Sequence, residues 1–390
     1  MIREKIAQAQ AILIEEKIDL WLTFVRESEV TNDPALDLIL DANCTWHSAF
    51  MIPAHGAPVA IVGSLDQARI QETGAYEVIG YKQSIKDTLL DQMNRLSPNR
   101  IAVNFSENDY MADGLTHGNF LILQKYLALT PFAGRFESSE GIISKLRGRK
   151  SREEIRRIAA AVEITEELFS LVSKIMKPGL TEKGIAAFLL AEVDRRGLET
   201  AWERELCPAV FTGPDSAGAH AGPTDRRIER GHVLNIDFGV KRDSYVSDLQ
   251  RTWYFLRTGE KQAPGEVQKA FDTIRDAIVL AGERIRPGME GRAIDALARG
   301  YITDRGYAEY PHALGHQVGR KAHDGAGLLC PEWERYGTLP YLKVEAGQVY
   351  TLEPRITIPG YGVATMEEII VVTEHGGEYL SHPQRELYLV

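Results

Sequence analysis

Cysteine is scarce. The 390-residue chain has three, Cys44, Cys207 and Cys330, far apart and odd in number. That excludes a disulfide framework and a CxxC metal knuckle, and a reducing cytoplasm is the expected setting. Long apolar runs are missing too. No stretch approaches the ~20 residues that cross a bilayer. The amino terminus, MIREKIAQAQAILIEEKIDLWL, is charged throughout and lacks the apolar core and small-residue cleavage site of a signal peptide. Neither secretion nor membrane insertion is expected. Positive charge is not in excess either: Lys+Arg number 45 against Asp+Glu 55, a formal net charge of −10. Non-specific nucleic-acid binding needs a basic face, so no nucleic-acid partner is expected. There is no internal repeat of roughly 20–50 residues and no low-complexity tract.

What remains is an ordinary globular composition, 44% hydrophobic and 26% charged. At roughly 100–200 residues per domain, the length suggests about two domains. Residues 1–145 alternate helix-like and strand-like segments. Apolar positions at helical spacing (Ile6, Ala9, Ile12, Leu13) predict a helix over 2–17, and a strand-like run follows from Leu20 to Phe24. Apolar runs recur at 48–53, 57–62 and 100–103, with helical patterns at 64–72 and 84–96. This predicts an α/β domain, a sheet covered by helices. His47, His55 and His117 are scattered through it and read as structural or surface residues.

A boundary is expected within 137–150, where Glu137-Ser-Ser-Glu-Gly precedes the basic run Lys145-Leu-Arg-Gly-Arg-Lys150. The second domain is then 146–390. Ser151, three residues before Glu154, predicts a capping box opening a long helix to about Met176, ended by Pro178-Gly179. A second helix is expected over 182–196. Beyond 203 the period changes. Residues 205–211 read as a strand, and 232–240 and 244–254 read as an antiparallel hairpin joined by Lys241-Arg242-Asp243. Helical patterns at 264–286 and 290–303 precede strand-like runs at 348–353 and 363–373. The second domain is therefore α+β.

Candidate ligands concentrate there. Asp237 interrupts an apolar strand and Asp248 lies on its partner, so the hairpin can bring both carboxylates to one face. Such a pair repels unless a cation lies between. His312, His316 and His323 cluster in PHALGHQVGRKAHD, and histidine is a common ligand for Mn, Fe, Co or Zn. Glu353 ends an apolar strand before Pro354. Glu367 and Glu368 are doubled in another, where only one can face inward. Singly, each has a plainer explanation: a turn cap, a strand-end charge, an edge-strand charge that blocks aggregation. Together, two Asp, one His and two Glu are too carboxylate-rich for a structural zinc site. They suit a pair of divalent ions.

The order Asp, eleven residues, Asp, then His, Glu, Glu resembles the M24 metallopeptidases of pita-bread fold: methionine aminopeptidase, aminopeptidase P, prolidase and their metal-free relative creatinase. NIDFG with SYVSDLQRTW, HALGHQVG, VYTLEP and MEEIIVVTEHG carry the resemblance over roughly 151–390. An α/β domain of ~145 residues ahead of it is similar to the creatinase, prolidase and aminopeptidase P layout. The resemblance implies metal ligands Asp237, Asp248, His316, Glu353 and Glu367, the last chosen over Glu368 by its distance to Gly376. It implies two divalent ions, Mn first with Co, Fe or Zn as alternatives, and an Xaa-Pro aminopeptidase or dipeptidase using a metal-bridging hydroxide. Glu353 would pass the proton, His323 would stabilise the oxyanion, and His220 and His312 would position a peptide or small amide substrate. A homodimer is expected. Rival expectations are a creatinase-like hydrolase or lyase on a small non-peptide substrate, and a non-catalytic binding module. Four departures bear on Xaa-Pro specificity. Thr365 stands where Xaa-Pro enzymes often carry arginine, and Ala219 stands where proline is usual. Arg355 replaces a glycine, and Asp324-Gly-Ala-Gly follows His323. Arg320, Lys321 and Arg355 bring positive charge to the metal-loop positions, with solvated surface charge as the plainer reading.

Overall fold

Apolar runs at 20–25, 48–53 and 59–63 become strands buried on both faces. The computed structural model describes residues 1–215 and 222–390. Its two compact units are Met1–Arg147 and Gly148–Val390. In the first, six strands form one sheet in the order Glu77–Tyr81, Val59–Gly63, Ser48–Pro53, Leu20–Val25, Ile101–Val103, Phe136–Ser138. Side chains alternate across it as strand geometry requires. Trp21, Phe50, Ile52, Ala60 and Val62 face one core with the helix Ile2–Glu16. Leu20, Leu22, Phe24, Met51 and Ile61 face another with Leu89, Met93, Leu123 and Leu127.

The expected boundary segment is helical over Glu140–Gly148. Ile142, Ile143 and Leu146 recur at helical spacing and enter the core. Arg147 follows them inside, its guanidinium donating to the Pro34 carbonyl at 2.6 Å. The basic run there is thus only partly solvated.

The second unit opens with the helix Arg152–Ser173. Ser151 Oγ accepts from Glu154 N–H at 3.3 Å and Glu154 accepts from Ser151 N–H at 2.7 Å, a complete capping box. Its buried stripe (Ile158, Ala161, Val162, Thr165, Leu168, Phe169, Val172) has the 3–4 residue spacing of one helix face. Val233–Phe238 and Leu249–Tyr254 pair antiparallel, with Asp237 opposite Gln250. The hairpin is not continuous as expected. Val240–Arg242 and Tyr245–Val246 pair in a separate sheet around a tight turn, with Asp243 and Ser244 at φ 49° and 67°. The break falls at Gly239, where a Cβ would lie 1.9 Å from the Ser247 carbonyl oxygen. Only glycine permits that approach. The strand expected at 205–211 is confined to Ala209–Thr212. Leu206 and Cys207 N–H both turn back to the Glu203 carbonyl, and Pro208 has no N–H to give a sheet.

Val349–Leu352, Glu368–Thr373 and Gly376–Tyr379 form a three-stranded sheet, and Arg355–Ile358 pairs with Gly362–Thr365. Gly265–Arg284 packs against these strands, and Gly291–Thr303 packs against that helix, in one core with Phe271, Ile274, Ile294 and Leu352. Among the described residues no helix is long and apolar enough to cross a membrane.

Candidate active site

Five strands contribute one side chain each. Asp237 comes from Val233–Phe238, and Asp248 directly precedes Leu249–Tyr254. His316 lies in the short strand Gly315–His316. A Cβ at Gly315 would lie 1.9 Å from the Thr351 carbonyl oxygen, so glycine lets this loop press onto the neighbouring strand. Thr351 Oγ1 then accepts from His316 N–H at 3.1 Å. Glu353 follows Val349–Leu352 and donates its N–H to the Leu314 carbonyl at 2.7 Å. Glu367 N–H reaches the Gln250 carbonyl at 3.2 Å, just ahead of Glu368–Thr373.

Asp248, His316 and Glu367 each offer a ligand atom within 4.8 Å of the others, and all three are buried. His316 Nε2 lies 3.3 Å from Glu353 Oε1, 3.8 Å from Asp248 Oδ2 and 3.9 Å from Glu367 Oε1. Its Nδ1–H points to the Gln317 carbonyl at 3.3 Å, which turns Nε2 toward the carboxylates. The His323 ring packs edge-on against His316, centroids 4.2 Å apart. His312 is held by its Nδ1–H on the Ala313 carbonyl at 2.8 Å, leaving Nε2 as an acceptor. His220 lies outside the described residues.

The electrostatics are those of crowded anions. Burial, then the charges of Asp248 and Glu353, pushes the Asp237 carboxyl well above its usual range. Burial and the same two neighbours, with Asp237, do so for Glu367. Asp248 rises to about 7, mainly by burial, against the pull of His316. Burial also acts to raise Glu353, but its hydrogen bond to His316 and the charges of His316, His312 and His323 outweigh it and hold the carboxyl below its ordinary value. His312 is pushed down by burial, against the charge of Glu353 and its hydrogen bond to the Ala313 carbonyl.

Asp237 Oδ1 and Glu367 Oε1 are buried with no hydrogen-bond partner among the described residues. Buried acceptors left unpaired beside like charges are costly unless a cation joins them. The donor set, four carboxylates and one imidazole, therefore fits divalent cations.

A model of metallopeptidase family M24 matches residues 156–374, and this segment contains every one of these side chains. The chain belongs to metallopeptidase family M24. This M24 chain is 30% identical to an uncharacterized peptidase of Bacillus subtilis, YqhT, over 326 residues, 83% of this chain and 84% of that one. Its fold is that of an Xaa-Pro dipeptidase from Bacillus anthracis (TM-score 0.77, 24% identity, 100% of both chains). An X-Pro aminopeptidase from Thermotoga maritima is similar to the same extent (TM-score 0.74, 24% identity, 99% of both). The pita-bread architecture with an α/β unit ahead of it is thereby shown, and the protein is a metallopeptidase.

Sequence reasoning singled out neither Gln250 nor Arg251, which hold this M24 centre together with Thr365. Gln250 Nε2 donates to Glu367 Oε2 at 2.9 Å, and Thr365 Oγ1 donates to Gln250 Oε1 at 2.9 Å. The strand period offered the signal, because Gln250 shares a face with Asp248 two residues before. On the other side, Arg251 donates to the Glu367 carbonyl at 3.0 Å and pairs with Glu368 at 3.1 Å. Behind the histidine loop, Lys150 and Asp324 form a buried ion pair at 2.6 Å, and Asp324 also accepts from Arg320 N–H at 3.2 Å. Arg320 is buried, Arg355 half-buried and Lys321 exposed, so solvated surface charge describes Lys321 alone.

Proposed function

We propose that this metallopeptidase hydrolyses the bond before proline in short peptides, as an Xaa-Pro aminopeptidase or dipeptidase with two divalent ions. One observation carries the reading: Asp248, His316 and Glu367 cluster, Glu353 lies 3.3 Å from His316, and Asp237 feels the charges of Asp248 and Glu353, with Asp237 Oδ1 and Glu367 Oε1 buried without a hydrogen-bond partner among the described residues. These five would hold the ions, with Mn the first choice for a carboxylate-dominated set. Bound there, the ions would supply a water acidic enough to ionise near neutral pH and positive charge for the developing oxyanion.

The chain's own side chains do the rest. Glu353 is more exposed than Asp248, His316 or Glu367 and is held ionised, so it can take a proton from the attacking water and deliver it to the leaving nitrogen. His323, edge-on against His316, would donate to the scissile carbonyl oxygen. His312, fixed through Nδ1 on the Ala313 carbonyl, would use Nε2 to position the substrate. His220 takes a second positioning role by its place in the sequence. The names of the structural neighbours support the Xaa-Pro specificity.

The test is activity on Leu-Pro, Leu-Ala and Leu-Pro-Gly with metal analysis of the same sample. Selective cleavage before proline, lost on chelation and restored by Mn, is the expected result. Equal rates on Leu-Ala and Leu-Pro would overturn the specificity. In His323→Ala, metal content should hold while kcat falls about a hundredfold or more. A kcat within about threefold of the parent would remove the oxyanion role.

A further inference from the structure

Arg355 stands directly opposite Thr365 in the antiparallel pair Arg355–Ile358 and Gly362–Thr365. Opposed residues project to the same face. The other face of this pair carries Ile356, Ile358, Ala364 and Met366 into the hydrophobic core. The face of Arg355 is the one on which Thr365 Oγ1 reaches Gln250, and Gln250 in turn reaches Glu367 and Glu353. Arg355 is two residues from Glu353, and its charge acts on His312. It therefore flanks the catalytic cluster.

It is also alone. Arg251, Arg299, Arg157 and Arg196 are each buried or half-buried and each meets a carboxylate: Glu368, Asp295, Glu153 and Glu167. Arg355 is half-buried and has no hydrogen-bond or ion-pair partner among the described residues. Glu353 gives its carboxylate to His316 instead. A guanidinium taken partly out of water without a counter-ion is unfavourable, and its planar fork matches a carboxylate.

We propose that Arg355 is a specificity-determining residue that binds a carboxylate of the substrate, beside His312 on the leaving-group side of the scissile bond. The proposal rests on the peptidase reading above. Two sources offer that carboxylate: the free terminus of a dipeptide, or an acidic side chain one residue further on.

The experiment compares Leu-Pro, Leu-Pro-amide and Leu-Pro-Glu-amide in the Mn-loaded parent, Arg355→Gln and Arg355→Lys. The parent should show a KM for Leu-Pro at least about tenfold below that for the amide. Arg355→Gln should raise the KM for Leu-Pro about tenfold to a hundredfold, with kcat, metal content and the amide KM little changed, and Arg355→Lys should recover part of the loss. If Leu-Pro-Glu-amide carries the effect instead, the carboxylate comes from a side chain. Calorimetry of L-proline against L-prolinamide reads the same contact without turnover. Equal treatment of acids and amides by the parent, or an Arg355→Gln variant that shifts both alike, overturns the proposal. Repeating the acid-to-amide comparison with Leu-Ala separates the two readings. Lost proline preference sinks the Xaa-Pro specificity and leaves the carboxylate ratio standing.

Discussion

Gln250 Nε2 lies 2.9 Å from Glu367 Oε2 and 3.5 Å from Glu353 Oε2, so one neutral amide spans two carboxylates of the cluster. Its orientation is set by Thr365 Oγ1, which donates to the amide oxygen and leaves the NH2 group aimed at the acids. Outer hydrogen bonds of this kind orient ligands for a metal.

Gln250→Ala should therefore weaken metal binding by about ten- to a hundredfold while leaving the fold intact. Titration calorimetry with Mn, alongside circular dichroism, checks both parts. Thr365→Val should shift affinity the same way by less. Unchanged affinity in Gln250→Ala would show that the carboxylates need no such guide.

The neighbouring glutamates should fail differently. Glu367→Gln removes a buried acid from a crowd of like charges, so the metal-free protein should unfold at a higher temperature than the metal-free parent while binding metal poorly. Glu368→Gln leaves the buried Arg251 guanidinium without the carboxylate 3.1 Å away. That should cost about 3–5 kcal/mol of stability with metal binding retained in the folded fraction. Thermal unfolding and metal analysis of both variants decide it. The same defect in both would mean that the two side chains do not face opposite ways.

The five acidic and imidazole residues were legible because their types, order and strand placement are rare in combination. Their supports were not. A glutamine or arginine in an apolar strand does not say which carboxylate, 117 positions on, it will meet. Glu368 could be read as an edge charge, yet it is buried between Arg251, Ser381 and Gln384 N–H. The helix Glu140–Gly148 was hidden by its charges, which masked the helical spacing of Ile142, Ile143 and Leu146. The break at Gly239 depends on a backbone contact with Ser247, which no residue pattern announces.

Asp33 gives the first unit a pH dependence. Burial is the chief cause that lifts its carboxyl from 3.8 to about 6, against hydrogen bonds from Asn104 and the Ala35 N–H. Between those values the folded chain keeps a proton that the unfolded chain has released. Its favourable contribution is thus full below about pH 3.8 and lost as pH rises through about 6, a change of about 3 kcal/mol. Asp33→Asn should remove that slope. Denaturation midpoints at pH 4, 5, 6 and 7 for parent and variant test it, and identical slopes would contradict it.

The central claim is a two-ion peptidase centre built from these five side chains, and counting metal tests it most directly. Parent and Asp248→Ala should be stripped, reloaded with Mn, desalted and analysed for metal per chain, with Leu-Pro hydrolysis measured on the same samples. Asp248 shares one cluster with His316 and Glu367 and its charge reaches Asp237, so its loss should disturb both ions. The account predicts two ions and activity in the parent, and at most one ion with nearly all activity gone in the variant. Two ions and full activity in Asp248→Ala, or an active parent that holds no metal, would contradict it.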